Sequence, residues 1–227
     1  MMDEDITIEK LGWVYAAVRV NRKAGKVTSY GILVFDQNGE LTEELIGKDT
    51  YDIPNPKGDI EGQIKKIIMQ EIQGDLEETA GVRYEIDPNR IILVGKKTFE
   101  KIAKKAGSLY YEDVERYRNV KRPLTVFFSP FRSYRSPAVK SKHVLVVDVE
   151  GRVVEHWEDP GGWTIGYLED REKKLTTREA KKILREFLYG HGLELKKGDR
   201  IYRLPPRAME NKLRQFGIES EDQTSGP

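Results

Sequence analysis

Cysteine is absent from the 227 residues, which excludes disulfides, thiolate metal ligands and a cysteine nucleophile. Histidine is scarce: His143, His156 and His191 are the only three, and their spacing matches no metal-ligand motif, so each reads as structural. No apolar run approaches bilayer-spanning length, and the opening MMDEDITIEK is acidic with no apolar core, unlike a signal peptide. The expectation is a soluble, cytoplasmic protein with no membrane partner. Nor is there an excess of one charge. Lys and Arg number 39 against 38 acids, a formal net charge of +1, so any electrostatic partner must be met by local patches. No G-x-S-x-G elbow offers a serine nucleophile, and Gly161-Gly162-Trp163 lacks the strand-to-helix setting of a phosphate loop. No internal repeat or low-complexity segment is visible.

What is present suits a folded α/β chain. With 38% hydrophobic and 34% charged residues, the protein buries a real core under a heavily solvated surface. Apolar, β-branched and aromatic runs predict strands over 13–20, 29–35, 41–46, 82–86, 91–94, 124–128, 143–149 and 152–157, with a loop at Asp159-Pro160-Gly161-Gly162. Thr98–Ala106 reads as a helix with a basic surface. Thr176 followed by Glu179 is a capping box opening a second long helix, with Ala180, Ile183, Leu184, Phe187 and Leu188 at helical spacing. Pro205-Pro206 opens a short helix carrying Met209, Leu213 and Phe216, expected to dock on the domain, and the tail from Glu219 reads as disordered.

The segment between Tyr51 and Val82 organises the rest. Ile64, Ile67, Ile68, Ile72 and Leu76 follow the three-and-four spacing of a helix over 63–79. On that helix Glu71, Asp75 and Glu78 fall on one stripe, where carboxylates repel unless water or a hard divalent cation screens them. Pro56-Lys57-Gly58 precedes the helix, Glu61 stands at its start, and Asp75-Leu76-Glu77-Glu78-Thr79-Ala80-Gly81-Val82 closes it.

This arrangement resembles the Nudix family, whose signature is the loop-helix-loop G-x5-E-x7-R-E-U-x-E-E-x-G-U with U aliphatic. Ser29–Phe35 is similar to the strand that precedes that box, and Tyr51-Asp52-Ile53-Pro54 to the segment leading into it. Aligned from its end, Asp75, Leu76, Glu78 and Gly81-Val82 match the box. Gly74 stands in place of the arginine, Thr79 replaces the last glutamate, and the spacing from Gly58 is about two residues too long. A second register places Gln70-Glu71-Ile72-Gln73 on the same positions and needs an insertion before Glu77-Glu78. The resemblance implies a Nudix-like α/β/α sandwich with a mixed sheet over 8–192, followed by a basic C-terminal extension over 193–227. It also implies a hydrolase cleaving a nucleoside-linked diphosphate, a nucleotide derivative or an RNA 5′ end, with Mg2+ or Mn2+. By position, Asp75 and Glu78 would hold the metal, with Glu71 in a second shell or as an alternative ligand. Lys57 and Gly58 would place the pyrophosphate, and Glu61 is the candidate base beside Glu78.

A second signal lies between Arg116 and Lys142, where Arg116, Arg118, Lys121, Arg122, Arg132, Arg135, Lys140 and Lys142 are met by no acid. Phe131 and Tyr134 are interleaved with them, a pattern that suits phosphates and stacked bases. The bland alternative pairs these cations with acids elsewhere. Segment 196–214 is similar, with seven basic residues against two acids. A catalytically inactive Nudix-like module binding nucleic acid, nucleotide or protein through this surface is therefore the rival to the enzyme. An α+β protein with an accidental box is the third reading.

Overall fold

A computed structural model describes residues 8–80, 83–133, 136–168 and 174–218. The tail expected to be disordered lies outside these residues. The chain is α/β and divides into two compact units, Met1–Glu115 and Arg116–Pro227. The division falls inside the span 8–192 expected to form one domain.

The first unit runs β1 (Ile8–Lys10), β2 (Val14–Asn21), β3 (Lys26–Phe35), β4 (Leu41–Leu45), β5 (Asp49–Asp52), α1 (Ile60–Ala80), β6 (Arg83–Glu85), β7 (Ile91–Val94), α2 (Lys96–Ala106) and α3 (Leu109–Arg116). Its main sheet has the order β4-β3-β2-β7, with β5 also on β3. Neighbours are antiparallel except β7, which returns parallel to β2. β1 and β6 form a separate parallel pair. Asp59 starts α1 by accepting the Gly62 amide at 3.0 Å, which satisfies one of the donors a helix leaves open at its N-terminus. The helix then buries Ile64, Ile68 and Ile72 against Val14, Ala16, Ile32 and Val34. Each isoleucine so buried contributes about 1.5–3 kcal/mol. α2 buries Phe99 and Ala103, and a side chain at Gly31 would meet the Phe99 ring. Ser108, with the Leu109 and Tyr110 amides, donates to the Glu44 carboxylate, which sits where the α3 helix dipole favours an anion.

The second unit runs β8 (Thr125–Arg132), β9 (Ala138–Val147), β10 (Val153–Tyr167), α4 (Thr177–Gly190), β11 (Arg200–Arg203) and α5 (Pro206–Gln215). Its sheet has the order β10-β9-β8-β11, antiparallel except β11, which returns parallel to β8. Thr176 and Glu179 form the expected capping box on α4, which covers one face through Ala180, Ile183, Leu184 and Leu188 over Val126, Phe128, Val144 and Val146. The opposite face holds Leu145 and Val147 beneath Met209 and Leu213 of α5. That helix docks as the sequence predicts. β11 and α5, which lie in the expected extension over 193–227, thus complete this unit's sheet and cover its second face.

Although no repeat is legible in the sequence, the two units share one order of elements. In each main sheet, three antiparallel strands or more are followed by a long helix, a strand returning parallel to that sheet's first strand, and a further helix; β1, β6 and α3 have no counterpart in the second unit. The predicted loop at Asp159–Gly162 lies instead inside β10. It is a bulge, with the register broken between Glu158 and Trp163, and Gly162 takes φ +83° there.

Candidate functional site

A bulge in β3 decides what faces α1. Ala17 pairs with Gly31 and Val18 with Ser29, so Tyr30 is the extra residue. With the register shifted, Val27 and Ser29 share the face of Ile32 and Val34 that packs against α1. β5 pairs Tyr51 with Val27 and Asp49 with Ser29, which puts Tyr51 and Asp49 on that same face. Along α1, Glu71 follows Ile64 and Ile68 on the buried stripe, and Asp75 follows Glu71 by one turn. Glu71 therefore continues the helix's inner face, and Asp75, one turn on, is exposed.

The Tyr51 hydroxyl donates to Glu71 Oε1 at 2.6 Å. Glu71 Oε2 is buried, and no well-formed hydrogen bond reaches it from any described residue, although the Ser29 hydroxyl acts on the same carboxylate. Burial pushes the Glu71 carboxyl up to about 7 against the pull of the Tyr51 hydrogen bond, with the Asp49 and Asp75 charges adding to the rise. Burial, reinforced by the bond to Glu71, likewise pushes the Tyr51 phenol well above its usual range. A carboxyl poised near neutrality can exchange a proton with a bound water at physiological pH.

The other box residues fall out differently. Asp75 is exposed at the end of this stripe; Glu78 lies on α1 with its side chain outside the described residues. Glu61 is mostly exposed and pairs with Lys65 at 2.9 Å. At 1.5 Å of rise per residue it stands about 15 Å along the helix from Glu71, too far to share a site with it. The Lys57 and Gly58 amides are already engaged by Asn55, through its side-chain oxygen at 3.2 Å and its carbonyl at 3.0 Å. Of these two residues, only the exposed Lys57 ammonium is left to meet a phosphate.

The basic stretch is largely built into its own unit. Arg116 lies 3.5 Å from Glu155, whose carboxylate also accepts the buried Tyr117 hydroxyl at 2.6 Å. Lys121 pairs with Glu150, and Arg122 with the nearly inaccessible Asp199. Arg122 also donates to the Glu194 carbonyl at 2.9 Å. Arg132 donates to the Ser136 carbonyl at 3.3 Å, and Arg118 too has an interaction partner. Phe131 is 40% exposed, while Tyr134 and Arg135 lie outside the described residues.

Strand pairing brings together two of the histidines whose sequence spacing matches no metal-ligand motif. Among the described residues, the trio of His, Asp and Glu donors lying within 4.8 Å of one another is His143, His156 and Glu158. β10 sets Glu158 across from His143, and His156 lies two residues away on the same face. Sequence spacing does not display a cross-strand register. Burial, with the neighbouring His143, lowers the His156 imidazole below its usual range.

No family model and no curated protein matches this chain. No helix among the described residues is long and apolar enough to cross a membrane.

Proposed function

We propose that the first unit is a divergent Nudix-like domain that hydrolyses a nucleoside-linked diphosphate, a nucleotide derivative or an RNA 5′ end, with Mg2+ or Mn2+. The observation that carries this reading is Glu71 Oε2. A buried carboxylate oxygen with no well-formed hydrogen bond costs free energy that a cation or a bound water would recover. The oxygen-only donor set of Glu71, Asp75 and Glu78 fits a hard cation, which is held through one or two carboxylates together with waters and substrate phosphates. When bound, such an ion supplies charge neutralisation at the phosphates and lowers the pKa of water.

The chain's own residues have distinct tasks. By position in the box, Asp75 and Glu78 would hold the cation. Glu71, held by Tyr51 and poised near neutrality, receives the proton of the attacking water at Oε2, a role that Glu61 is too distant to fill. Asp75 is one methylene shorter than the family's glutamate and Thr79 replaces its last glutamate, so cation affinity is expected to be modest.

The test is product release from a panel of nucleoside diphosphate derivatives and capped RNA with Mg2+ or Mn2+, comparing wild type with Glu71→Gln and Asp75→Asn. Metal-dependent turnover lost in both supports the reading. A folded protein with no turnover on any substrate moves the function to binding.

A further inference from the structure

The second unit carries a metal site of a different kind. We infer that His143, His156 and Glu158 bind one late first-row divalent ion of the zinc class between β9 and β10, independently of the acidic stripe on α1. His143 Nδ1 and His156 Nε2 are 3.3 Å apart, and Glu158 Oε1 is 3.7 Å from His143 Nδ1. Two nitrogens bound tetrahedrally to zinc at about 2.0–2.1 Å are themselves about 3.3 Å apart. The histidine pair therefore already has the separation that ligation requires. Glu158 is just beyond hydrogen-bonding distance of His143 and needs only a small rotation to complete the set.

The surroundings hold these donors in place. The two imidazoles are stacked, 5.5 Å between centroids and 10° from parallel, and both rise from paired strands. Glu158 is the last residue of β10 in register before the bulge, and its carbonyl accepts the Trp163 indole at 3.0 Å across that bulge. Bulges of this kind re-aim side chains beside functional sites. A cavity of about 190 Å³, lined by Ser129, Phe131, Lys142, Met209 and Glu210 among others, reaches His143. Three protein ligands leave a zinc ion at least one position for water or another small ligand, as in sites with two histidines and a glutamate. Imidazole nitrogen with one carboxylate favours zinc, copper or nickel over the magnesium that suits an all-oxygen site.

The test uses full-length protein, stripped of metal, carrying Glu71→Gln and Asp75→Asn so that the acidic stripe cannot compete. Zn2+ is titrated by calorimetry and Co2+ by visible absorption. The expected result is one equivalent bound, an intense four-coordinate Co2+ spectrum and a raised Tm. Glu158→Gln should weaken binding at least about 10-fold, and His143→Gln with His156→Gln should abolish it. No bound Zn2+, or undiminished binding in that double-histidine variant, overturns the site. Should the variant not fold, imidazole NMR of the protein with both histidines intact decides. Zn2+-dependent shifts at His143 and His156 but not at His191 uphold the site, and their absence overturns it.

Discussion

The Tyr51 hydroxyl donates to Glu71 Oε1 at 2.6 Å, joining β5 to the inner face of α1. Removing it by Tyr51→Phe leaves both oxygens of a buried carboxylate without this donor. The bond stabilises the charged form, so the Glu71 pKa should rise further above about 7. Urea denaturation at pH 8 should register a loss of about 1–3 kcal/mol. An unchanged midpoint would mean that water replaces the phenol.

Glu71 also predicts a pH dependence for the metal-free protein. Its folded pKa is about 7 against 4.5 for the free side chain, so between those values the folded state keeps a proton that the unfolded chain has released. Stability contributed by this group therefore falls as pH rises through that window, and the whole cost is present above pH 7. Before solvent screening that cost is on the order of 3 kcal/mol. Glu71→Gln should accordingly stabilise the protein at pH 8, with the gain vanishing towards pH 4.5. A constant difference across a denaturation series from pH 4.5 to 8 would contradict this.

Arg122 is tied into the fold through Asp199 and the Glu194 carbonyl. Asp199, almost wholly inaccessible, accepts its guanidinium together with the Leu124 amide at 2.7 Å and the Lys196 amide at 2.8 Å. Asp199→Ala leaves two amides without their acceptor and the guanidinium without its carboxylate, with the Glu194 carbonyl still accepting from it, at a cost of about 3–5 kcal/mol by chemical denaturation. Arg122→Ala should be destabilising as well, so a drop in nucleic-acid affinity in that variant would count as a binding effect only if its fold is intact.

Gly74 offers the opposite case. It lies within α1, and, the helix's own backbone aside, no described atom stands within 4 Å of where a Cβ would sit. Gly74→Ala should stabilise the protein by about 0.5–1 kcal/mol, because glycine loses the most backbone freedom in a helix. A lower Tm would show that the position needs glycine for a reason outside the helix.

Much of the architecture was legible in local pattern. The spacing of Ile64, Ile68 and Ile72 marked α1, and Thr176 with Glu179 marked the start of α4. What escaped was set by pairing. The first half of β9 carries Lys140 and Lys142, and β11 is only four residues long between charged ends, so neither shows an apolar run. Asp159-Pro160-Gly161-Gly162 reads as a loop because its residues break regular ladders, yet a bulge accommodates them within β10. The division at residue 115 falls at the end of α3, where no Gly or Pro marks a linker, although the acid-free basic stretch begins at Arg116. In the candidate sites, the acidic stripe was visible but the burial of Glu71 was not, since what faces it depends on the extra residue Tyr30 in β3. Tyr51 and Asp49 reach Glu71 only through the pairing of β5, and His143 meets His156 only through that of β10.

The most direct test of the central claim is the Mg2+- or Mn2+-dependent turnover of nucleoside diphosphate derivatives and capped RNA by wild type and by Glu71→Gln. The account predicts turnover that needs the metal and falls at least about 100-fold in a folded Glu71→Gln protein, the range lost with a general base. Turnover unchanged in that variant, or absent from the wild type on every substrate, would contradict it.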